Sequence, residues 1–95
     1  MANATQPDAD FDTQVVQTLA MLDAALQEAG ANRTRMLSVQ VILADIQHKA
    51  AFDAQWTPWI GPDPQAWPQR ACFASALSGG LLVELIVVAA RQPLT

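Results

Sequence analysis

The apolar residues of this chain change period once they pass Gly30. Before it, Phe11, Val15, Leu19, Leu22 and Leu26 follow one another at steps of three and four, which draws a single stripe along an α-helix. Asp12, Gln14, Gln17, Asp23, Gln27 and Glu28 lie off that stripe. After the turn Gly30-Ala31-Asn32, Leu37, Val39, Val41 and Leu43 alternate with Met36, Ser38, Gln40 and Ile42, the pattern of a strand with one greasy face. A chain that carries both periods is neither a helical bundle nor an all-β sandwich. It has to lay a helix against a sheet.

The remaining segments extend that plan. The first helix is expected from about residue 10 to residue 29, with Asp8 or Asp10 accepting from the free amides at its start and Gly30 as a left-handed cap at its end. Residues 48–60 return to helical spacing through Phe52, Trp56, Trp59 and Ile60, and Pro58 is expected to bend or end that helix. Residues 61–68 hold three prolines and read as a stiff loop without regular structure. Two alternating runs, 70–77 and 81–90, flank Ser78-Gly79-Gly80 and read as an antiparallel hairpin. The order helix, strand, helix, strand, strand predicts an α+β two-layer domain, its helices packed on one face of a small mixed sheet. Residues 1–9 are expected as a polar N-terminal tail and residues 10–95 as a single domain.

Composition narrows the function classes. At 95 residues the chain is one domain, and at 52% hydrophobic it has apolar surface in excess for that size, so burial against another subunit is expected. Net charge is −4, and Arg33, Arg35, Lys49, Arg70 and Arg91 are scattered, which argues against a nucleic-acid partner because phosphate binding relies on clustered cations. One cysteine and one histidine, Cys72 and His48, exclude an internal disulfide and give no support to a metal site. The longest apolar run, Leu81 to Ala90, is broken by Glu84 and falls short of the roughly 20 residues of a membrane span. No secretory signal opens the sequence, and a cytoplasmic protein without membrane association is expected.

Chemistry has few places to sit. Small residues line one face of the run after Arg70, namely Cys72, Ala74 and Ala76, and Glu84 is the lone charge in LLVELIVVAA. A hairpin that paired Leu77 with Leu81 would put Glu84 opposite Ala74, on the face of Arg70 and Cys72. Plainer readings stand beside this one. Glu84 also fits a solvent-facing position or a structural ion pair with Arg70, Cys72 fits a small buried hydrophobe, and Arg70 fits a surface site. Trp56, Trp59 and Trp67 read as core and loop anchors, and His48 as a solvated residue.

The string PQRACFASALSGGLLVELIVVAA resembles the C-terminal block of the RidA (YjgF) family, whose pattern is P-x-R-x-C, a strand, a turn and a strand ending in V-E-I-x-x-x-A. Leu26 to Gly30 is similar to the end of that family's first helix, and RMLSVQVILAD, residues 35–45, to the strand ending in L-x-D. The resemblance covers residues 11–90. It implies a chorismate-mutase-like fold, a homotrimer with clefts between subunits, and hydrolysis of reactive 2-imino or enamino acids to 2-oxo acids and ammonia without a cofactor. By position it implies that Arg70 clamps the substrate carboxylate, that Cys72 lines the pocket, and that Glu84 is the catalytic group that orients or deprotonates the attacking water.

The chain also departs from that pattern. The family's N-terminal β-hairpin is missing from the expected fold, which leaves three strands, an exposed sheet edge and the look of a shortened start. Asp53 stands where the second helix usually has asparagine, and Pro58 interrupts that helix. The alternative is therefore a non-catalytic member that binds a small carboxylate or has a regulatory role. Ribonuclease activity, attached to some relatives, is disfavoured by the acidic charge.

Overall fold

The computed structural model describes residues 1–91. Two helices cover one face of a four-stranded mixed sheet, as the α+β reading expected. The elements are β1 (Ala2–Asn3), α1 (Phe11–Glu28), β2 (Met36–Leu43), α2 (Lys49–Ile60), β3 (Gln69–Ala74) and β4 (Val83–Ala89). In the sheet their order is β1-β4-β2-β3.

Helix α1 begins and ends where its caps require. Asp10 accepts from Thr13 N at 2.8 Å, and Gly30 takes φ +76°. Ala31 N then reaches Leu26 O (2.8 Å) and Gly30 N reaches Gln27 O (3.1 Å), which satisfies the last free carbonyls of the helix. The apolar stripe Phe11, Val15, Leu19, Leu22 and Leu26 is buried as expected. Gln14 is not on the solvent side: it is fully buried. Its Nε2 donates to the carbonyls of Pro7, Ala9 and Gly80, and its Oε1 accepts from Leu82 N at 2.8 Å. A polar side chain can be buried at little cost when both ends of its amide are satisfied.

Helix α2 runs on to Ile60 despite Pro58. The amide that proline lacks would have bonded the carbonyl of Ala54, an exposed residue, and the helix ends at Gly61 with φ +95°. Phe52 and Trp56 turn inward from α2 onto Val39, Val41, Leu43, Val83 and Leu85 of the sheet. Phe52 has no exposed surface, and truncating such a side chain to alanine costs about 3–5 kcal/mol.

The two C-terminal runs do not form a hairpin with each other. β3 pairs parallel to β2, and β4 pairs antiparallel to β2 on its other edge, so β2 separates them. The Ser78-Gly79-Gly80 turn is present, with φ +65° and +82° at its glycines, but residues 75–82 cross the end of β2 instead of folding back. Ser75 N bonds Leu43 O and Ala44 N bonds Leu82 O, each at 3.0 Å. The place between β3 and β4 goes to β2, which the chain made before α2. Parallel pairing of β2 and β3 needs a long crossover, and α2 supplies it.

Other expectations are corrected in detail. β4 starts at Val83 and β3 stops at Ala74, so both are shorter than the alternating runs. An irregularity between Met36 and Ser38 turns Met36 inward and leaves Leu37 58% exposed, the reverse of strict alternation. The loop 61–68 contains one 3₁₀ turn, Pro64–Ala66, capped by Asp63. The N-terminal stretch is not wholly tail: Ala2 pairs with Leu85 and Asn3 with Glu84, and Ala2 and Ala4 are buried. Four strands stand where three were expected, and part of the β4 edge is covered. Residues 92–95, the end of the expected 10–95 domain, lie outside the described residues.

Candidate functional site

The loop before β3 sets the position of the first candidate. Trp67 Nε1 donates to Gly61 O at 2.8 Å, which ties the far side of the loop back to the end of α2. Pro68 follows, and the chain enters β3 at Gln69. In the parallel register Arg70 lies beside Val39 and Cys72 beside Val41. Both therefore project to the helix-covered side of the sheet, because alternate residues of a strand share a face.

There Arg70 lies under α2. Its guanidinium sits 5.4 Å from the Phe52 ring centre and 5.8 Å from that of Trp56, and Nη2 donates to Asp53 Oδ1. Lys49 Nζ donates to the other oxygen of Asp53 at 2.8 Å, one helical turn away. Burial pushes the Asp53 carboxyl up, but hydrogen bonds from Lys49 and Arg70, with their charges, outweigh it and hold the group below the usual carboxylate range. A cavity of about 540 Å³ opens over this trio, lined also by Trp56, Thr57, Trp67 and Cys72. Cys72 is half-buried and free.

Glu84 is elsewhere. It pairs with Ile42 of β2 and Asn3 of β1, whereas the β4 residues in line with Arg70 and Cys72 are Val87 and Leu85. Glu84 thus shares the outer face of the sheet with Ile42 and Phe73, and the shared face expected from a hairpin is corrected. The ion pair with Arg70, one of the plainer readings of Glu84, does not form either: the carboxylate beside Arg70 belongs to Asp53. The outer face bears no helix and exposes apolar side chains, with Phe73 at 42% and Val88 at 55%.

A second arginine–aspartate pair occupies the opposite flank of α2. Arg33 reaches Asp23 through Nε at 2.8 Å and Nη2 at 2.6 Å, and Nη1 donates to Trp59 O at 2.7 Å. Its guanidinium lies 4.3 Å from the Trp59 ring centre, and Trp59 Nε1 donates to Asp23 Oδ2 at 3.3 Å. The Arg33 hydrogen bonds lower the Asp23 pKa in spite of burial, which acts the other way.

Sequence reasoning missed this cluster and the Asp53–Arg70 contact, since neither separation is a local one. The i,i+4 spacing of Lys49 and Asp53 was the one available signal. The tryptophans fall where anchors belong: Trp56 is buried in the core, Trp59 packs against it, and Trp67 fixes the loop. His48 is not simply solvated, because it stacks on Phe11 with ring centres 4.2 Å apart. Among the described residues no three histidine, cysteine or acidic side chains converge as metal ligands, and no helix is long and apolar enough to cross a membrane.

Comparison with known proteins bears on this arrangement. A family profile described as Endoribonuclease L-PSP matches residues 1–91. The RutC family protein YoaB of Escherichia coli is 38% identical over 53 residues, 56% of this chain and 46% of the relative, so the match spans about half of that relative's length. A RutC family protein of Haemophilus influenzae is 29% identical over 77 residues, 80% of this chain and 65% of its own length. The crystal structure of an uncharacterized protein from Pseudomonas aeruginosa is similar with a TM-score of 0.85 at 36% identity, covering 96% of this chain and 78% of that one. A YjgF-family member from Neisseria meningitidis shares the fold with a TM-score of 0.89 at 22% identity, over 98% of this chain and 76% of that one. With the profile running from β1 through all four strands and both helices, this chain belongs to the endoribonuclease L-PSP family, the lineage of the RidA, YjgF and RutC proteins.

Proposed function

We propose that the protein hydrolyses reactive 2-imino or enamino acids to 2-oxo acids and ammonia in a cleft between subunits. The observation that carries this reading is Arg70, held at the floor of a cavity with only one of its guanidinium nitrogens engaged by Asp53. A guanidinium with donors to spare suits a substrate carboxylate. Cys72 lines the same cavity beside it. An imine carbon is already electrophilic, so water can attack it without a cofactor, and collapse of the resulting carbinolamine releases ammonia and leaves the 2-oxo acid.

Glu84 is the proposed base for that water. Because it lies on the other face of the sheet from Arg70, the two act together when they come from different protomers. The uncovered outer face, with Leu37, Phe73 and Val88 exposed, supports assembly as a homotrimer that buries it. The test is ammonia release in an assay coupled to an enzyme that generates 2-imino acids. Acceleration by the wild type and its loss in Arg70→Ala are expected; a folded trimer that gives no acceleration overturns the reading.

A second reading, a small-carboxylate-binding protein without turnover, is favoured by the Asp53 contact, which already supplies Arg70 with one carboxylate. Thermal stabilisation by 2-oxo acids that is cancelled in Arg70→Ala, without hydrolysis, would select it. RNA cleavage, which the family description names, has less support. Arg33, Lys49 and Arg70 are each paired with an aspartate, in a chain of net charge −4, and phosphate binding needs free clustered cations.

A further inference from the structure

The cavity over β3 contains a carboxylate of its own. Asp53 offers one oxygen to Arg70 Nη2 and the other to Lys49 Nζ, so two cations share one anion and the trio carries a single net positive charge. Arginine grips a carboxylate through two parallel donors, either Nε with Nη2 or Nη1 with Nη2. Nη2 belongs to both forks, and it is the nitrogen that Asp53 engages. Among the described residues, Arg70 Nε and Nη1 make no hydrogen bond. An incoming carboxylate thus finds free donors on Arg70 but competes with Asp53 for a two-point grip.

We propose that Asp53 is a built-in competitor for Arg70 that sets the charge specificity of the cavity, admitting ligands with one carboxylate and discriminating against those with two. A monocarboxylate balances the single positive charge of the trio. A second carboxylate meets Asp53 with no cation left to pair with it, and like charges in a partly buried site repel. The inference deepens the proposed function and rests on Arg70 as the carboxylate-holding residue.

The test is calorimetric titration of the wild type and Asp53→Asn with 2-oxopropanoate and with 2-oxopentanedioate. Asparagine keeps the size of the side chain and removes its charge. The variant is expected to bind the monocarboxylate about five- to tenfold more tightly, the scale of one net hydrogen bond in a partly exposed site, and to gain by a larger factor for the dicarboxylate. Lys49→Gln, at an exposed position, is expected to weaken both ligands while Asp53 stays charged. An Arg70→Ala change made in the Asp53→Asn background should cancel the gain. Equal or weaker binding in Asp53→Asn, with wild-type binding that depends on Arg70, overturns the inference and leaves the proposed function standing, since Asp53 would then only position Arg70. Binding by the variant alone supports the competitor and overturns the wild-type hydrolase reading. No binding by either protein overturns both.

Discussion

Helix α2 separates two arginine–aspartate pairs that look alike in composition and differ in what they leave unused. On one flank Arg33 closes both parallel donors on Asp23, donates its third nitrogen to the Trp59 carbonyl and stacks on the same tryptophan. On the other, Arg70 gives Asp53 a single nitrogen. Exposure ranks them opposite to the roles proposed for them: the Arg33 side chain is 40% exposed and that of Arg70 21%. A saturated guanidinium is a fastener even at the surface, whereas an unsaturated one under a helix, facing a cavity, retains the capacity to bind. Donor accounting, more than burial or charge, separates the two.

Replacing each arginine tests that distinction most severely. Arg70→Ala should reduce carboxylate binding and imine hydrolysis by about 100-fold or more, the equivalent of roughly 3 kcal/mol for a charged two-point grip. Its stability should stay within about 1 kcal/mol of wild type in urea unfolding, because the pair it breaks is partly exposed. Arg33→Ala should do the opposite. Loss of the fork, the Trp59 carbonyl bond and the ring contact is expected to lower stability by about 1–3 kcal/mol, with ligand affinity unchanged within about twofold as read by calorimetry. A large binding defect in Arg33→Ala would erase the difference between the two flanks.

Acid probes what the two pairs share, and more gently. Both aspartates have folded-state pKa values below the ordinary carboxylate value of 3.8, so the stability they contribute is complete above that value and is lost as pH falls through the lower folded values. For Asp23 the Arg33 hydrogen bond is the leading influence, whereas for Asp53 it is burial, which opposes the lowering. Asp23→Asn and Asp53→Asn should each flatten the fall in stability between about pH 4 and pH 2, by a fraction of the roughly 1 kcal/mol available to exposed pairs. Urea midpoints at the two pH values measure it. The smallest effect belongs to Trp59→Phe, which keeps a ring beside Arg33 but removes the 3.3 Å bond to Asp23. A loss of about 0.5 kcal/mol in thermal unfolding is expected.

The elements were legible in the sequence where one segment's own pattern decides its structure. The α1 stripe, its Asp10 and Gly30 caps, the alternation of β2 and the turn at Gly79 and Gly80 each depend on neighbours a few residues away. Pairing was not legible, because the strand that separates β3 from β4 comes from before α2, and a glycine turn reports reversal of the chain without naming the partner. The site divides in the same way. Arg70 and Cys72 share a face by simple alternation along β3. Glu84 changed faces once the assumed hairpin gave way to a three-strand order, and Asp53 reached Arg70 only through the packing of α2 on the sheet. Gln14 fell off the apolar stripe, and its burial could not be read because two of its partners, Gly80 and Leu82, are far along the chain.

That distance has a kinetic meaning. The amide of Gln14 joins helix α1 to residues 66 and 68 positions later, and at Gly80 an added Cβ would stand 2.9 Å from the Pro7 carbonyl, so only glycine lets the N-terminal segment lie this close. Contacts of such separation close some of the longest loops in the chain and are expected to form after the β2–α2–β3 crossover has condensed. Gln14→Leu should then accelerate unfolding while leaving the refolding rate nearly unchanged, a φ-value near zero in stopped-flow measurements. Gln14 would thus act as a late latch, setting how long the folded state lasts more than how fast it is reached.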